Sequence, residues 1–201
     1  MNEWNSFFRQ KAKKIFEEKR DIIDIGGTLG LDATRCSRVK KENEWLQEYI
    51  PKVNYKVLDK VPDYHPDFVG DIHNLPFKDN SVEAIFCSSV IEHVENPIRA
   101  VEEIYRVLKP GGYAYFYAPF IFYYHAEPGY YKDFYRFTYD GWEYMTRQFS
   151  SREMEPVHGP LATILNLFPS MSEKVNWLRP LDRKLRPKSR QVSGYNVFCI
   201  K

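Results

Sequence analysis

The sequence predicts an α/β fold, with helices covering both faces of a mostly parallel sheet. Three observations carry this. The apolar run DIIDI, residues 21–25, ends in two adjacent glycines. The succession VEAIFCSSV, PIRAVEEIYRVL, KPGG, YAYFYAPF reads as strand, helix, turn, strand. The chain has 201 residues, of which 43% are apolar and 28% charged, enough for one core and short of two ordinary domains.

Trp4, Phe8, Ala12, Ile15 and Phe16 recur at helical spacing, so residues 4–19 form an amphipathic helix laid on the sheet. DIIDI then reads as a buried parallel strand closing in a tight turn, where backbone can approach a ligand. A polar helix is expected near 40–50, a short strand at YKVLD, 55–59, and another at DFVGD, 67–71. The β-α-β succession follows. GYNVFCIK, 194–201, reads as a last strand, antiparallel and at or near the sheet edge. Such sheets bind ligands at the carboxyl ends of their strands.

A formal net charge of +2 does not by itself call for a nucleic-acid or membrane partner, although RPLDRKLRPKSR, 179–190, is locally basic. No apolar run reaches the roughly 18–20 residues that span a bilayer, and MNEWNSFFRQKAKKIFEEKR lacks the apolar centre of a signal peptide, so a cytoplasmic location is expected. Cys36, Cys87 and Cys199 are odd in number and far apart, without CxxC pairs or a nearby His at ligand spacing. Neither a disulfide framework nor a metal site is expected.

The glycine turn excludes two nucleotide motifs. G-x-G-x-x-G needs glycine at 26, 28 and 31, where the chain has Gly26, Thr28 and Leu31. No Gly-Lys-Ser/Thr follows for a phosphate loop. The pattern acid-x-Gly-x-Gly-x-Gly keeps Asp24, Gly26 and Gly30 and loses only its middle glycine, to Thr28.

With GDIHNLPFKDNSVEAIFCSSVIEHVENPIRAVEEIYRVLKPGG supplying D-x-x-x-L-P-F, E-H and L-K-P-G-G signatures in order, the chain resembles the class I S-adenosylmethionine-dependent methyltransferases, specifically the type 11 group, over roughly residues 21–149. The resemblance implies a Rossmann-like, mostly parallel seven-stranded sheet with helices on both faces and an antiparallel C-terminal strand. It also implies S-adenosyl-L-methionine as cofactor. Asp59, with Asp63 as the alternative, would accept from the ribose hydroxyls; Asp71 would accept from the adenine amine, and Ile72 would pack on the ring. Asp24, Gly26 and Gly30 would shape the methionine end, and Ser88 would offer a carbonyl to the ammonium. Thr28 is expected to change the local path of the turn, and Glu83, where the group usually has Asp, to be structural. The chain then divides as one domain, 1–201: an N-terminal helix, 1–20; a cofactor-binding core, 21–118; an acceptor-side loop, cap and basic segment, 119–190; and a C-terminal strand, 191–201.

PFIFYYHAEPGYYKDFYRFTYDGW, 119–142, leaves the fifth strand at the ligand edge and is the expected acceptor region. His125 is the candidate general base, because an imidazole titrates near about pH 6.5 and works in both directions; a histidine bonded to loop backbone is the alternative. Asp133 can orient His125. Arg136 can bind an acceptor carboxylate or phosphate as a fork, or pair with Asp133 to brace the loop. His93 is assigned to a helix start or lid. Tyr123, Tyr124, Tyr130, Tyr131 and Tyr135 can stack on an acceptor. The acceptor expected is a small molecule, a glycan or a lipid-linked intermediate. Nucleic acid is disfavoured, since SSVIEHV stands in place of the N/D-P-P-Y/F motif of exocyclic-amine methylating enzymes. LATILNLFPSMSEKVNWL, 161–178, is expected to form two pieces broken at Pro169 that cap the pocket, with a weak peripheral membrane contact as the lesser reading. A degenerate relative that binds without catalysing is the alternative to an enzyme; the oligomeric state is left open.

Overall fold

The computed structural model describes residues 6–32, 34–35, 39–168, 179–185 and 190–201; Trp4, Cys36 and the expected break at Pro169 lie outside them. Among the described residues seven strands form one sheet: β1 (Asp21–Ile25), β2 (Asn54–Asp59), β3 (Phe68–Val69), β4 (Val82–Ser88), β5 (Leu108–Pro119), β6 (Ser151–Pro156) and β7 (Gly194–Ile200). Their order is β3-β2-β1-β4-β5-β7-β6. β1 to β5 pair in parallel, and β7 runs antiparallel to both β5 and β6.

The two faces of the sheet follow from strand alternation. Ile23, Ile25, Ile85 and Cys87 face one core, shared with Ala100, Val101, Ile104 and Val107 of α2 (Pro97–Val107) and with Trp142 of α3 (Tyr139–Met145). Ile22, Ala84 and Phe86 face the other, with Ala12, Ile15 and Phe16 of α1 (Ser6–Glu18). Asn96 starts α2 by accepting the Arg99 N–H at 3.0 Å, with Pro97 at the first helical position, where its missing N–H costs nothing.

Four local expectations change. The segment near 40–50 is two 3-10 pieces, Lys41–Leu46 and Ile50–Lys52, because Pro51 cannot donate within a continuing helix. The strand expected over 67–71 is only Phe68–Val69. KPGG opens β5 instead of standing as a free turn: Gly111 N–H donates to the Lys201 carbonyl and Lys201 N–H to Gly112, each within 3.0 Å. The segment assigned to the acceptor-side loop and cap contains an edge strand, β6, which pairs outside the C-terminal strand; that strand is antiparallel and near the edge, as expected. In the cap, α4 (Pro160–Asn166) and α5 (Arg179–Leu185) meet where the buried Asp182 accepts Gly159 N–H at 2.8 Å and Leu161 N–H at 2.9 Å. No helix among the described residues is long and apolar enough to cross a membrane.

Two acidic residues tie the core to the loops around the ligand edge and its opposite end. Glu103, 1% exposed on α2, takes Leu75 N–H at 3.0 Å and bridges Arg99 and Arg106 at 2.8 and 2.7 Å. Arg106 in turn donates to the Leu75 and Phe77 carbonyls, so the loop after β3 is fastened to α2. Glu83, at the far end of β4, accepts Arg20 N–H at 2.7 Å and lies 3.0 Å from Lys109 Nζ. This is the structural role its sequence position suggested. Chiefly through the Arg20 N–H, its carboxyl is held down at about 2 from an ordinary 4.5. A depressed folded pKa stabilises above the unfolded value and loses that contribution as pH falls. Glu83→Gln is therefore expected to lower stability at pH 7 by about 1 kcal/mol, the group being partly screened by solvent. In melting curves recorded against pH, the gap from wild type is expected to close between pH 4.5 and about 2.

Candidate active site

The strand order reverses between β1 and β4, and a cavity of ≈680 Å³ opens there at the carboxyl ends of the strands. Each wall comes from one strand end. β1 supplies Gly26 and Thr28, β2 supplies Asp59, the end of β3 supplies Gly70, Asp71 and Ile72, and β4 is followed by Ser89 and Val90.

Gly26 has φ +82°, and a Cβ there would sit 2.6 Å from Val90 Cγ2, so the cradle exists only with bare backbone. Gly27 and Gly30 take the other positive φ values of the turn, and Thr28 does not; the missing glycine is at a position that needs none. Instead Thr28 N–H and hydroxyl both donate to Asp24 Oδ1, at 3.1 and 3.2 Å. Thr28 thus sits in the turn without a left-handed backbone, held by Asp24. Asp24 lies fully buried beneath the turn, with Leu29 N–H at 2.9 Å and the Tyr55 hydroxyl at 2.7 Å on Oδ2. Burial raises its carboxyl to about 6 against those four donors. Asp24 and Gly30 form the turn and do not line the cavity.

Asp59 Oδ1 accepts Val61 N–H at 2.9 Å, and burial raises its pKa. Asp71 is partly buried, which alone would raise it, but the His73 N–H and ring, with the nearby Lys60, outweigh burial and lower it. Asp71 Oδ1 accepts the His73 N–H at 2.9 Å and lies 2.6 Å from His73 Nδ1. Ile72, 5% exposed, presents an apolar wall beside it. At the end of β4 the lining residue is Ser89, with φ +56°, and not Ser88.

The loop after β5 covers the cavity. Tyr130 stacks on Tyr64, from the turn after β2, at 5.5 Å, and Tyr131 lies against the His93 ring at 4.4 Å. Tyr124 and Phe134 complete an aromatic mouth, whereas Tyr123 stacks on Phe122 away from the lining. Behind the mouth is a polar group that the sequence only half revealed. Glu92, 1% exposed, His93 and His125 meet with one donor atom of each within 4.8 Å of the others. His93 lines the cavity; His125 stands behind it, ring to ring at 4.8 Å. The Glu92 carboxylate raises the His125 pKa, with Asp133 adding to it against burial.

Asp133 accepts the His125 N–H at 2.9 Å and binds the Arg136 fork at 2.5 and 2.7 Å. Arg136 also donates to the carbonyls of Tyr123 and Tyr135, at 2.8 and 2.7 Å. Its donors are turned into the loop, and neither Asp133 nor Arg136 lines the cavity. Of the two sequence-level readings of Arg136, the geometry is that of the brace. Glu92 is the site residue the sequence reading passed over; its signal was an acid directly before His93 after an apolar strand.

The family model for a methyltransferase domain, type 11, matches residues 23–116. A bifunctional biotin-biosynthesis protein of Cellvibrio japonicus is 46% identical over 102 residues, 49% of this chain and 19% of that protein. A demethylmenaquinone methyltransferase of Chlorobaculum parvum is 27% identical over 124 residues, 60% of this chain and 50% of that protein. The match thus spans half or less of these relatives' length. An S-adenosylmethionine-dependent methyltransferase of Archaeoglobus fulgidus superposes with a TM-score of 0.61 at 14% identity, over 97% of this chain and 92% of that one, which shows the shared fold. The part of the chain that matches the type 11 methyltransferase domain, residues 23–116, covers most of β1, β2 to β4 and most of β5, with the cavity at their ends, and the whole chain shares the fold of the solved S-adenosylmethionine-dependent methyltransferase.

Proposed function

We propose that the protein transfers the methyl group of S-adenosyl-L-methionine to a small-molecule acceptor with an apolar or aromatic body. The observation that carries this is the joining of a cavity at the carboxyl ends of the parallel strands to an aromatic mouth with buried polar groups behind it. When bound, the cofactor supplies a methyl group on a sulfonium. The chain's own residues do the rest by binding, orientation and exclusion of water. The bare backbone at Gly26 receives the amino-acid end, Asp59 accepts from the ribose diol, and Ile72 packs on the base beside Asp71. Ser89 takes the place first assigned to Ser88. The acceptor enters between Tyr124, Tyr130 and Phe134, and His93 on the wall faces the atom that receives the methyl, with His125 behind it and Asp133 and Arg136 holding the loop in place. The relative named demethylmenaquinone methyltransferase supports an acceptor of this kind. The alternative, a relative that binds without catalysing, rested on Thr28, and the turn accommodates Thr28 without strain.

The test is a set of melting curves. S-adenosylmethionine and S-adenosylhomocysteine are expected to raise the melting temperature with increasing concentration, and NAD is not. Asp59→Ala is expected to weaken the sulfur nucleosides by about tenfold or more, the loss of hydrogen bonds to a charged group. A shift with NAD and none with either sulfur nucleoside overturns the reading. Labelled methyl tracked into hydroquinones and other small hydroxylated aromatics then identifies the acceptor.

A further inference from the structure

We propose that Glu92, His93 and His125 bind a divalent first-row transition-metal ion on the acceptor side of the cavity. Three features of the geometry agree. First, His93 Nδ1 lies 2.7 Å from the Lys132 carbonyl, and His125 Nδ1 lies 3.2 Å from both the Tyr123 carbonyl and Asp133 Oδ2. The carbonyl at His93 Nδ1 fixes the proton there and leaves Nε2 with its lone pair; at His125 the two nearer oxygens favour the same tautomer over the Arg136 Nη2 donor at 3.4 Å. An outer acceptor of this kind fixes the tautomer of metal-binding histidines. Second, both Nε2 atoms face one oxygen, Glu92 Oε1, at 3.9 and 3.8 Å. Third, Glu92 is 1% exposed, and its Oε2 has no hydrogen-bond partner among the described residues. A buried carboxylate left in that state is costly unless a cation completes it.

Metal–ligand bonds of about 2.0 to 2.2 Å hold their donors about 3.0 to 3.5 Å apart. Binding an ion shortens the two Nε2–Oε1 distances by about half an ångström and the widest donor pair by about 1.3 to 1.8 Å. Two imidazoles and one carboxylate suit zinc, cobalt, iron or manganese better than magnesium or calcium, which prefer all-oxygen sets. Three protein ligands leave positions open, and His93, the member on the cavity wall, sets their direction toward the acceptor. An acceptor hydroxyl bound there becomes a stronger acid. That use of the ion rests on the methyltransferase reading; its binding does not. No metal site was expected from spacing, since His125 lies beyond the whole of β5 from Glu92 and His93.

The full chain, stripped with chelator, is dialysed against Zn²⁺ and, separately, Co²⁺. One tightly held ion per chain is expected, and for Co²⁺ a visible absorption band of nitrogen and oxygen coordination. Glu92→Gln, which keeps shape and removes charge, is expected to lower affinity at least 10- to 100-fold, and His158→Ala, remote from the cluster, is expected to leave it unchanged. If Glu92→Gln fails to fold by circular dichroism, His93→Asn takes its place with the same expectation. No ion held above the buffer level overturns the proposal, as does equal binding by wild type and folded cluster variants. The melting shift with S-adenosylhomocysteine is recorded on the same samples. A shift without metal binding sinks the metal site alone, and metal binding without a shift leaves the site standing while the methyltransferase reading falls.

Discussion

Replacing Glu103 by alanine is expected to cost about 3 to 5 kcal/mol of folding stability, the penalty for removing one partner of a buried ionic network. Arg106 and Arg99 would lose their carboxylate, and Leu75 N–H its acceptor. The loss does not stay in α2. Leu75 follows Asp71 and Ile72 by a few residues, so the cavity wall they form is fastened through the same carboxylate. Denaturant unfolding is expected to show the stability loss, and S-adenosylhomocysteine affinity is expected to fall with it. Undiminished affinity in a destabilised Glu103→Ala would show that the loop holds its shape without α2. Glu103→Gln is expected to cost less, because an amide oxygen can still accept the Leu75 N–H.

The second large effect is expected at Asp133. Asp133→Ala leaves the Arg136 guanidinium and the His125 N–H without their acceptor, at a cost of about 2 to 4 kcal/mol, since the arginine keeps some contact with solvent. Here the loss is expected to be local. The loop from Phe122 to Tyr135 closes over the cavity but contributes little to either core, so limited proteolysis is expected to cut it first. Turnover of any identified acceptor is expected to fall by about 10²-fold or more, because misplacement of about an ångström is enough. Binding of S-adenosylhomocysteine at Gly26 and Asp59 is expected to change far less. A variant that loses cofactor affinity and turnover in equal measure would contradict this separation. Arg136→Lys is expected to sit between the two, since an ammonium keeps the charge but cannot span both Asp133 oxygens and the Tyr123 and Tyr135 carbonyls.

The inner strands were readable in the chain because burial on both faces leaves nearly continuous apolar runs: DIIDI, YKVLD and VEAIFCS each register with their neighbours. β6 was not. SREMEP carries three charges and one large apolar side chain, and its extended state comes from pairing with β7, a partner supplied far along the chain. The cavity wall was legible at Gly26, Asp59, Asp71 and Ile72, which sit at strand ends where the turn sequence itself sets the backbone. What escaped was any feature requiring distant segments to meet. Ser89 replaced Ser88 on the wall because the chain turns through a positive φ at 89. In the sequence Arg136 fits an outward-facing fork and a brace equally well, and only the folded loop, with its carbonyls around the guanidinium, separates the two. Glu92 looked like one more acid until burial removed its solvent.

The position of β7 between β5 and β6 also bears on how the protein is made. Tyr113 is matched with Ile200, and Ser151 with the same residue. A ribosome therefore releases β1 to β5, with the cofactor cavity at their ends, while the strand that joins β6 to them is still unsynthesised. During that interval the outer side of β5 and the whole of β6 carry unsatisfied backbone donors and acceptors, an invitation to pair with another nascent chain. Final closure is a long-range step, slow by its separation in sequence. The strand that closes the sheet also carries Tyr195, Val197, Phe198 and Cys199 into both cores, so the earlier strands await it for packing as well as for pairing.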